Sequence, residues 1–546
     1  MISGRSSDVN LWWKPSNIPP LWETEAWGQA LQENMRSPVY IIVDPASQRL
    51  GLGLGGHLLA RSAAPNTPGF LVRAAVPGLY PEQLGSEAFK QTHGLRFAYV
   101  GGSMALGIAS PQLAIALARI GALGFYGSAG VSLNKLAATL EHLQNTLSCN
   151  GIPWGANLIH SPNSPHWEDQ VVDLFLKYRV SRVEASAFMD LQPSLVRYAC
   201  SGLQRDGAGH VVRQNYLFAK VSRPEVARHF MRPAPEAMVQ GLVDSGQLTA
   251  QEAKCSREIP LAEDITIESD SGGHTDNRPL TALFSQLTEL RTELSHACPP
   301  AARIRLGAAG GLGTPQALAA AFSLGADYVL LGSVHQATLE AGISQQAKQM
   351  LAQAEVADVS MTAAADMFEQ GVKVQVLTRG TLMARRGNQL YELYKAYAAI
   401  EDIPAALRKR LEKDIFRDTL DRVWARTRSR ALKRTPHEVA RAERDPKHKM
   451  AMIFLSYLGP SSRWPIEGVG DRQIDYQIWC SPAMGAFNAW TRHSFLEASH
   501  NRTAGQVALN LLEGAAYVTR TQQLRLLGLP LAGHAFDYRP QPLLLA

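Results

Sequence analysis

The chain has 546 residues, 46% of them hydrophobic and 19% charged, with a formal net charge of +6. That length exceeds one ordinary core, so a large domain with accessory regions is expected, and no apolar run is long enough to cross a bilayer. Five scattered cysteines, Cys149, Cys200, Cys255, Cys298 and Cys480, are odd in number and lack metal-ligand spacing, which argues against a disulfide framework and a metal site.

The opening Met1-Ile-Ser-Gly-Arg-Ser-Ser-Asp8 lacks the basic-then-apolar pattern of a secretory signal, so a cytoplasmic location is expected. Trp12, Trp13, Trp22 and Trp27 nevertheless mark a region that packs against something. Val39 to Asp44 followed by Gly51-Leu-Gly-Leu-Gly-Gly56 reads as a hairpin. Residues 1–90 are therefore expected to form a small, irregular accessory domain.

From about residue 95, short apolar runs alternate with amphipathic stretches. Strands are predicted at Arg96 to Val100, Leu123 to Tyr126, Trp154 to Ile159, Arg182 to Ala185, Tyr216 to Val221, Asp264 to Glu268, Ile304 to Gly307 and Tyr328 to Leu331. Helices are predicted between them, among others at Pro111 to Gly121, Leu133 to Leu147, Trp167 to Tyr178, Leu191 to Leu203, Pro279 to His296 and Thr314 to Gly325. Eight such units fit an α/β fold of the TIM (β/α)8 barrel type over residues 91–345. The alternative is an open doubly wound sheet, but no Gly-x-Gly-x-x-Gly follows the first strand. After residue 345 the strand signal is confined to Val372 to Leu377, and residues 346–546 read as a mainly helical subdomain covering the barrel mouth.

Basic residues cluster between Leu407 and Lys449: Arg408-Lys409-Arg410, then Arg422, Arg426, Arg428, Arg430, Lys433 and Arg434, and on to Lys449. This stretch reads either as a solvated helical face with i,i+4 ion pairs or as a docking surface for an acidic partner. No nucleic-acid-binding motif accompanies it.

Catalytic groups of such barrels sit at the C-terminal ends of the strands. Gly310-Gly311-Leu312-Gly313 and Gly332-Ser333 follow the seventh and eighth strands, where backbone N–H groups can converge on a phosphate with no Cβ in the way. A flavin or another phosphate-tethered molecule is expected there. Gly101-Gly102-Ser103-Met104 follows the first strand and either suits a flat ring or is simply a glycine-rich turn with a core methionine. Asn157, Glu184 and Lys220 end the third, fourth and fifth strands. Lys220 is placed to stabilise negative charge on a reduced flavin, or else to pair with Glu184. After the sixth strand, Asp270 and Gly272-Gly273 join the set, and His274 is a candidate general acid or electrophile. Its alternative is a loop histidine bonded to Asp276, and His229, His335 and His493 read as surface or packing residues. Serine-hydrolase elbows, zinc-peptidase helices and Walker loops are absent from the sequence.

The order of Gly101 to Met104, Asn157, Gly272-Gly273-His274, Gly310 to Pro315 and Gly332-Ser333 resembles the FMN-dependent nitronate monooxygenase and enoyl-reductase superfamily. More narrowly, Glu268 to Pro279, Leu331 to Thr338, Asn388 to Tyr394 and Asp475 to Asn488 resemble the PfaD family, trans-acting enoyl reductases of polyunsaturated-fatty-acid and polyketide synthases. One departure is local: the superfamily commonly has Glu-Ala before Gly-Gly-His, where this chain has Asp270-Ser271.

The resemblance implies FMN as prosthetic group, NADPH as hydride donor and a 2-enoyl thioester on an acyl carrier protein as substrate. It also implies that the Gly310 and Gly332 loops hold the FMN phosphate and that Gly101 to Met104, Asn157 and Lys220 line the ring and ribityl chain, with His274 as the active-site histidine. The competing expectations are a nitronate-oxidising flavin enzyme and a non-catalytic scaffold of a synthase complex. No nucleic-acid or membrane partner is expected. Barrels with exposed apolar helices often pair, which leaves a homodimer open.

Overall fold

In the computed structural model, residues 11–60, 69–161 and 165–544 are described. Eight parallel strands close into a barrel: β1 (Tyr99–Gly101), β2 (Leu123–Tyr126), β3 (Gly155–Ile159), β4 (Arg182–Ser186), β5 (Tyr216–Val221), β6 (Asp264–Glu268), β7 (Arg305–Ala309) and β8 (Tyr328–Leu331). Each strand pairs with its sequence neighbours, and β8 returns to β1 through Leu331 opposite Gly101. All eight expected strands are therefore present. The first begins three residues late because the Arg96 and Phe97 amides both donate to the Gly121 carbonyl instead of to a ladder.

Parallel strands enclosed by helices are buried on both faces, which is why they read as continuous apolar runs. Tyr328–Leu331 is an example, buried at every position. The barrel interior is filled by Val100, Phe125, Phe218 and Tyr328, with Phe89 stacked on Tyr328 at 4.3 Å between ring centroids. Phe89 belongs to the helix Glu87–His93, which starts on a Ser86 cap, ends at left-handed Gly94 and closes the bottom of the barrel. The same helix delivers His93 to Asp264 on β6.

The hairpin expected near residue 40 exists as Val39–Val43 against Leu50–Leu54, within a five-stranded antiparallel sheet. Its glycines make room for tryptophan. A Cβ on Gly53 would come within 2.9 Å of the Trp13 ring, and one on Gly51 within 2.6 Å of Trp22.

Beyond the barrel the chain builds more than one core. Phe368, Leu390, Leu411, Phe416 and Phe454 form a separate one inside a helical insert. The final helices rejoin the barrel: Ala504–Leu526 packs on Pro315–Ser323, and its buried Arg520 donates to the carbonyls of Asn34 and Met35, at 2.7 and 2.9 Å. The turn between the helix Thr24–Glu33 and the strand Val39–Val43 is thereby fastened to the C-terminal helix. Two further strands, Val359–Ala363 and Lys373–Leu377, form a three-stranded antiparallel sheet with Gly273–His274 of the loop after β6. Among the described residues no helix is long and apolar enough to cross a membrane.

Candidate active site

The loops at the C-terminal ends of the strands, roofed by the helical insert, enclose a cavity of about 1780 Å³. Pockets for single small ligands run to roughly 300–1,000 Å³, so this one has room for a cofactor and a second bound molecule together.

The inner wall carries the glycine turns. Gly310 and Gly311 both have positive φ, at 88° and 69°. A Cβ on Gly310 would strike Ser269 Oγ at 2.5 Å and the Asp270 carbonyl at 2.8 Å, whereas one on Gly311 would meet nothing within 4 Å and would enter the open space. Among the described residues nothing accepts from the N–H groups of Gly311, Leu312, Gly332 or Ser333. Gln336 Nε2 and Ser186 Oγ, both in residues lining the cavity, are buried and have no partner among the described residues. A buried polar group without a partner costs about 1–3 kcal/mol. A cradle of free amides on two adjacent turns is what a phosphate monoester requires, and the donor set fits a phosphate-bearing flavin.

Lys220, from β5, sits between two carboxylates. Its Nζ lies 3.3 Å from Glu184 Oε1 and 3.0 Å from Glu268 Oε1. Burial works to lower the Lys220 pKa, but Glu268 and Glu184 more than reverse that, so the ammonium is held above its ordinary value. Burial also raises the Glu184 carboxyl, against the pull of Lys220. The other Glu184 oxygen accepts from the Ser103 amide at 2.9 Å, which anchors the loop after β1. Asn157 is oriented by Ser128 Oγ and the Ala129 amide, each 3.2 Å from its carboxamide oxygen.

His274 lies in the loop that pairs with Lys373–Leu377. Its Nε2 is 3.2 Å from Asp366, not bonded to Asp276, which is taken by Ser222 and Arg223. Burial would lower the His274 pKa, yet the Asp366 hydrogen bond and charge outweigh it and raise the value. The side chain is 34% exposed, so the imidazole can meet a ligand directly. An imidazole so placed can donate a proton or a hydrogen bond to a developing oxyanion.

Of the residues expected from sequence, Gly102, Ser103, Met104, Asn157, Lys220, Gly272, Gly273, His274, Gly310, Gly311, Gly332 and Ser333 line this one cavity. Four do not. Gly101 faces outward, where a Cβ would collide with Leu117, and a Cβ on Gly313 would collide with the Ala483 carbonyl. Glu184 is fully buried behind Lys220. Asp270 accepts from Gln375 and Asn277 at 2.7 and 2.9 Å and braces the loop after β6. His335 is buried against the Tyr99 hydroxyl at 2.7 Å, a packing role.

Sequence reading missed Asp366, Gln336, Trp479, Ser481 and Arg463 at the cavity, and named Arg430 and Arg434 only as part of a basic stretch. The signal for two of them lay in the Asp475 to Asn488 stretch. Ser481 Oγ is 3.1 Å from Ser333 Oγ, and the close approach of Cys480 to Gly272, 2.9 Å from a Cβ placed there, explains that glycine.

A model of the nitronate monooxygenase family matches residues 87–388, and one of the inserted helical domain of acyl-carrier-protein S-malonyltransferase matches residues 397–476. The chain is 42% identical over 439 residues to the polyketide biosynthesis protein PksE of Bacillus subtilis (strain 168), covering 80% of this chain and 57% of that one. It is 39% identical over 514 residues to a component of the polyunsaturated fatty acid synthase of Thraustochytrium sp., covering 92% of this chain and 33% of that one. It thus spans less than two thirds of the length of either relative. Among solved structures, the enoyl reductase domain of MlnA from the macrolactin biosynthesis cluster of Bacillus amyloliquefaciens matches with 35% identity and a TM-score of 0.78, covering 82% of this chain and 99% of that one. With its barrel, its glycine turns and its helical insert, the chain belongs to the nitronate monooxygenase family.

Proposed function

We propose that this protein reduces the 2-enoyl thioester of a chain carried by an acyl carrier protein, with FMN as prosthetic group and NADPH as hydride donor, in cytoplasmic polyunsaturated-fatty-acid or polyketide synthesis. The observation that carries this reading is the meeting of the free amides of Gly311, Leu312, Gly332 and Ser333 with Lys220 and His274 in one cavity. The similarity to the MlnA enoyl reductase domain over nearly its whole length supports it, as do relatives named for polyketide and polyunsaturated-fatty-acid synthesis.

The glycine turns and Ser333 would hold the flavin phosphate, and Gly102 to Met104, Asn157 and Lys220 would flank the rest of the molecule. When bound, FMN supplies two-electron hydride chemistry. Lys220 stays cationic between its carboxylates and favours negative charge beside it. His274, whose pKa the Asp366 carboxylate raises, is positioned to stabilise the thioester oxygen as enolate charge develops or to return a proton to the α-carbon.

The test is a visible absorption spectrum of the purified protein. A flavin band that NADPH bleaches and a crotonyl thioester restores is the expected result. A colourless protein, or a band that NADPH leaves intact while a nitronate drives oxygen uptake, would overturn it.

A further inference from the structure

The helix Leu420–Arg434 carries five arginines, and they fall into two sets. The three that do not line the cavity are neutralised: Arg422 and Arg426 lie 3.8 and 2.6 Å from Asp418, and Arg428 lies 2.6 Å from Glu443. Arg430 and Arg434, one turn apart on a single face, do line it, as does Arg463 just beyond the helix Pro446–Ser461. No carboxylate of the described residues lies within ion-pair distance of these three. The acids that share the cavity are committed elsewhere: Glu268 to Lys220, Asp276 to Arg223 and Asp366 to His274.

All three side chains are exposed on one concavity, and their guanidinium donors have no protein partner among the described residues. An isolated arginine at a helix C-terminus is explained by the helix dipole, but that accounts for Arg434 alone. Arg463 comes from a different element, and its presence on the same rim needs another reason. The guanidinium fork matches a phosphate ester in two-point geometry. The cavity also has volume beyond what a single ligand would take.

We infer that Arg430, Arg434 and Arg463 form a second phosphate-ester subsite, built on the helical insert and distinct from the glycine turns of the barrel. This inference rests on the proposed enoyl reduction and names what presents the substrate: the phosphate of the pantetheine arm that tethers the thioester. The 2′-phosphate of NADPH offers the same chemistry from another source.

The experiment uses the full-length flavin-loaded protein, the Arg430→Ala/Arg434→Ala double variant, Arg463→Ala, and Arg428→Ala as a control on the same helix. Calorimetry measures Kd for crotonyl-4′-phosphopantetheine, crotonyl-N-acetylcysteamine, NADP+ and NAD+. In the double variant the preference for the phosphorylated over the phosphate-free thioester should fall about tenfold, Arg463→Ala should shift it the same way, and Arg428→Ala should leave it as in the parent. A tenfold fall confined to the NADP+ over NAD+ preference supports the same subsite with the dinucleotide as its source. Preferences that hold in both pairs, or that Arg428→Ala erodes equally, overturn the subsite. Failure of the parent protein to reduce either thioester would count against the proposed function, whereas unchanged Kd preferences count against the arginines alone.

Discussion

The two ends of the barrel carry similar polar groups and use them differently. At the bottom, Asp264 is gripped by Arg305 through two hydrogen bonds, at 2.7 and 2.8 Å, and by His93 Nε2 at 3.1 Å, while Arg182 donates to His93 Nδ1 at 3.3 Å. Asp264 and His93 are sealed from solvent, and both carboxylate oxygens and both imidazole nitrogens are engaged. At the mouth, Lys220 is as firmly paired, but in the same cavity Gln336 Nε2, Ser186 Oγ and the amides of Gly311, Leu312, Gly332 and Ser333 have no partner among the described residues. A buried cluster that closes on itself serves the fold. One that leaves donors over is arranged for something that arrives later.

The sharpest break of this contrast is at the bottom. Asp264→Ala strands Arg305 and should cost about 3–5 kcal/mol in chemical denaturation at neutral pH; a loss below about 1 kcal/mol would erase the distinction. In the parent protein, burial works to raise the Asp264 carboxyl, but His93 and Arg305 hold it at about 2. Its contribution is therefore complete above the ordinary carboxylate value near 3.9 and should fade as pH falls from there toward about 2.

At the mouth the expected cost to folding is smaller and the cost to binding larger. Gly311→Ala places a side chain at positive φ, worth about 1–2 kcal/mol, without steric conflict. It should retain the fold and lose at least about tenfold in flavin affinity, measured as flavin absorbance against free FMN. Tight flavin binding in this variant would remove the cradle from the site.

The mildest change tests His274. Asp366→Asn removes the partner that raises the His274 pKa, so the alkaline limb of enoyl reduction should move to lower pH with stability nearly unchanged. A limb that stays in place would mean that this imidazole does not set it.

The barrel was legible because parallel strands buried on both faces leave long apolar runs, each followed by a glycine or polar loop. Lys220 was legible too, though not its second carboxylate: Glu268 and Lys220 meet only because β5 and β6 are neighbours with Lys220 opposite Thr266. Asp366 is 92 residues from His274, and nothing in local spacing announces that meeting. Gly101 and Gly313 illustrate the reverse limit. A glycine required by a crowding side chain or carbonyl behind the wall looks, in sequence, like one required by a ligand in front of it.

The short pairing of Gly273–His274 with Gln375 and Val374 has a practical consequence. The edge that registers the imidazole belongs to the segment leading into the roof, so trimming the chain back to its eight-stranded cylinder would not yield a minimal catalyst. It would yield a cylinder whose histidine has lost both its carboxylate and the ribbon on which it is mounted.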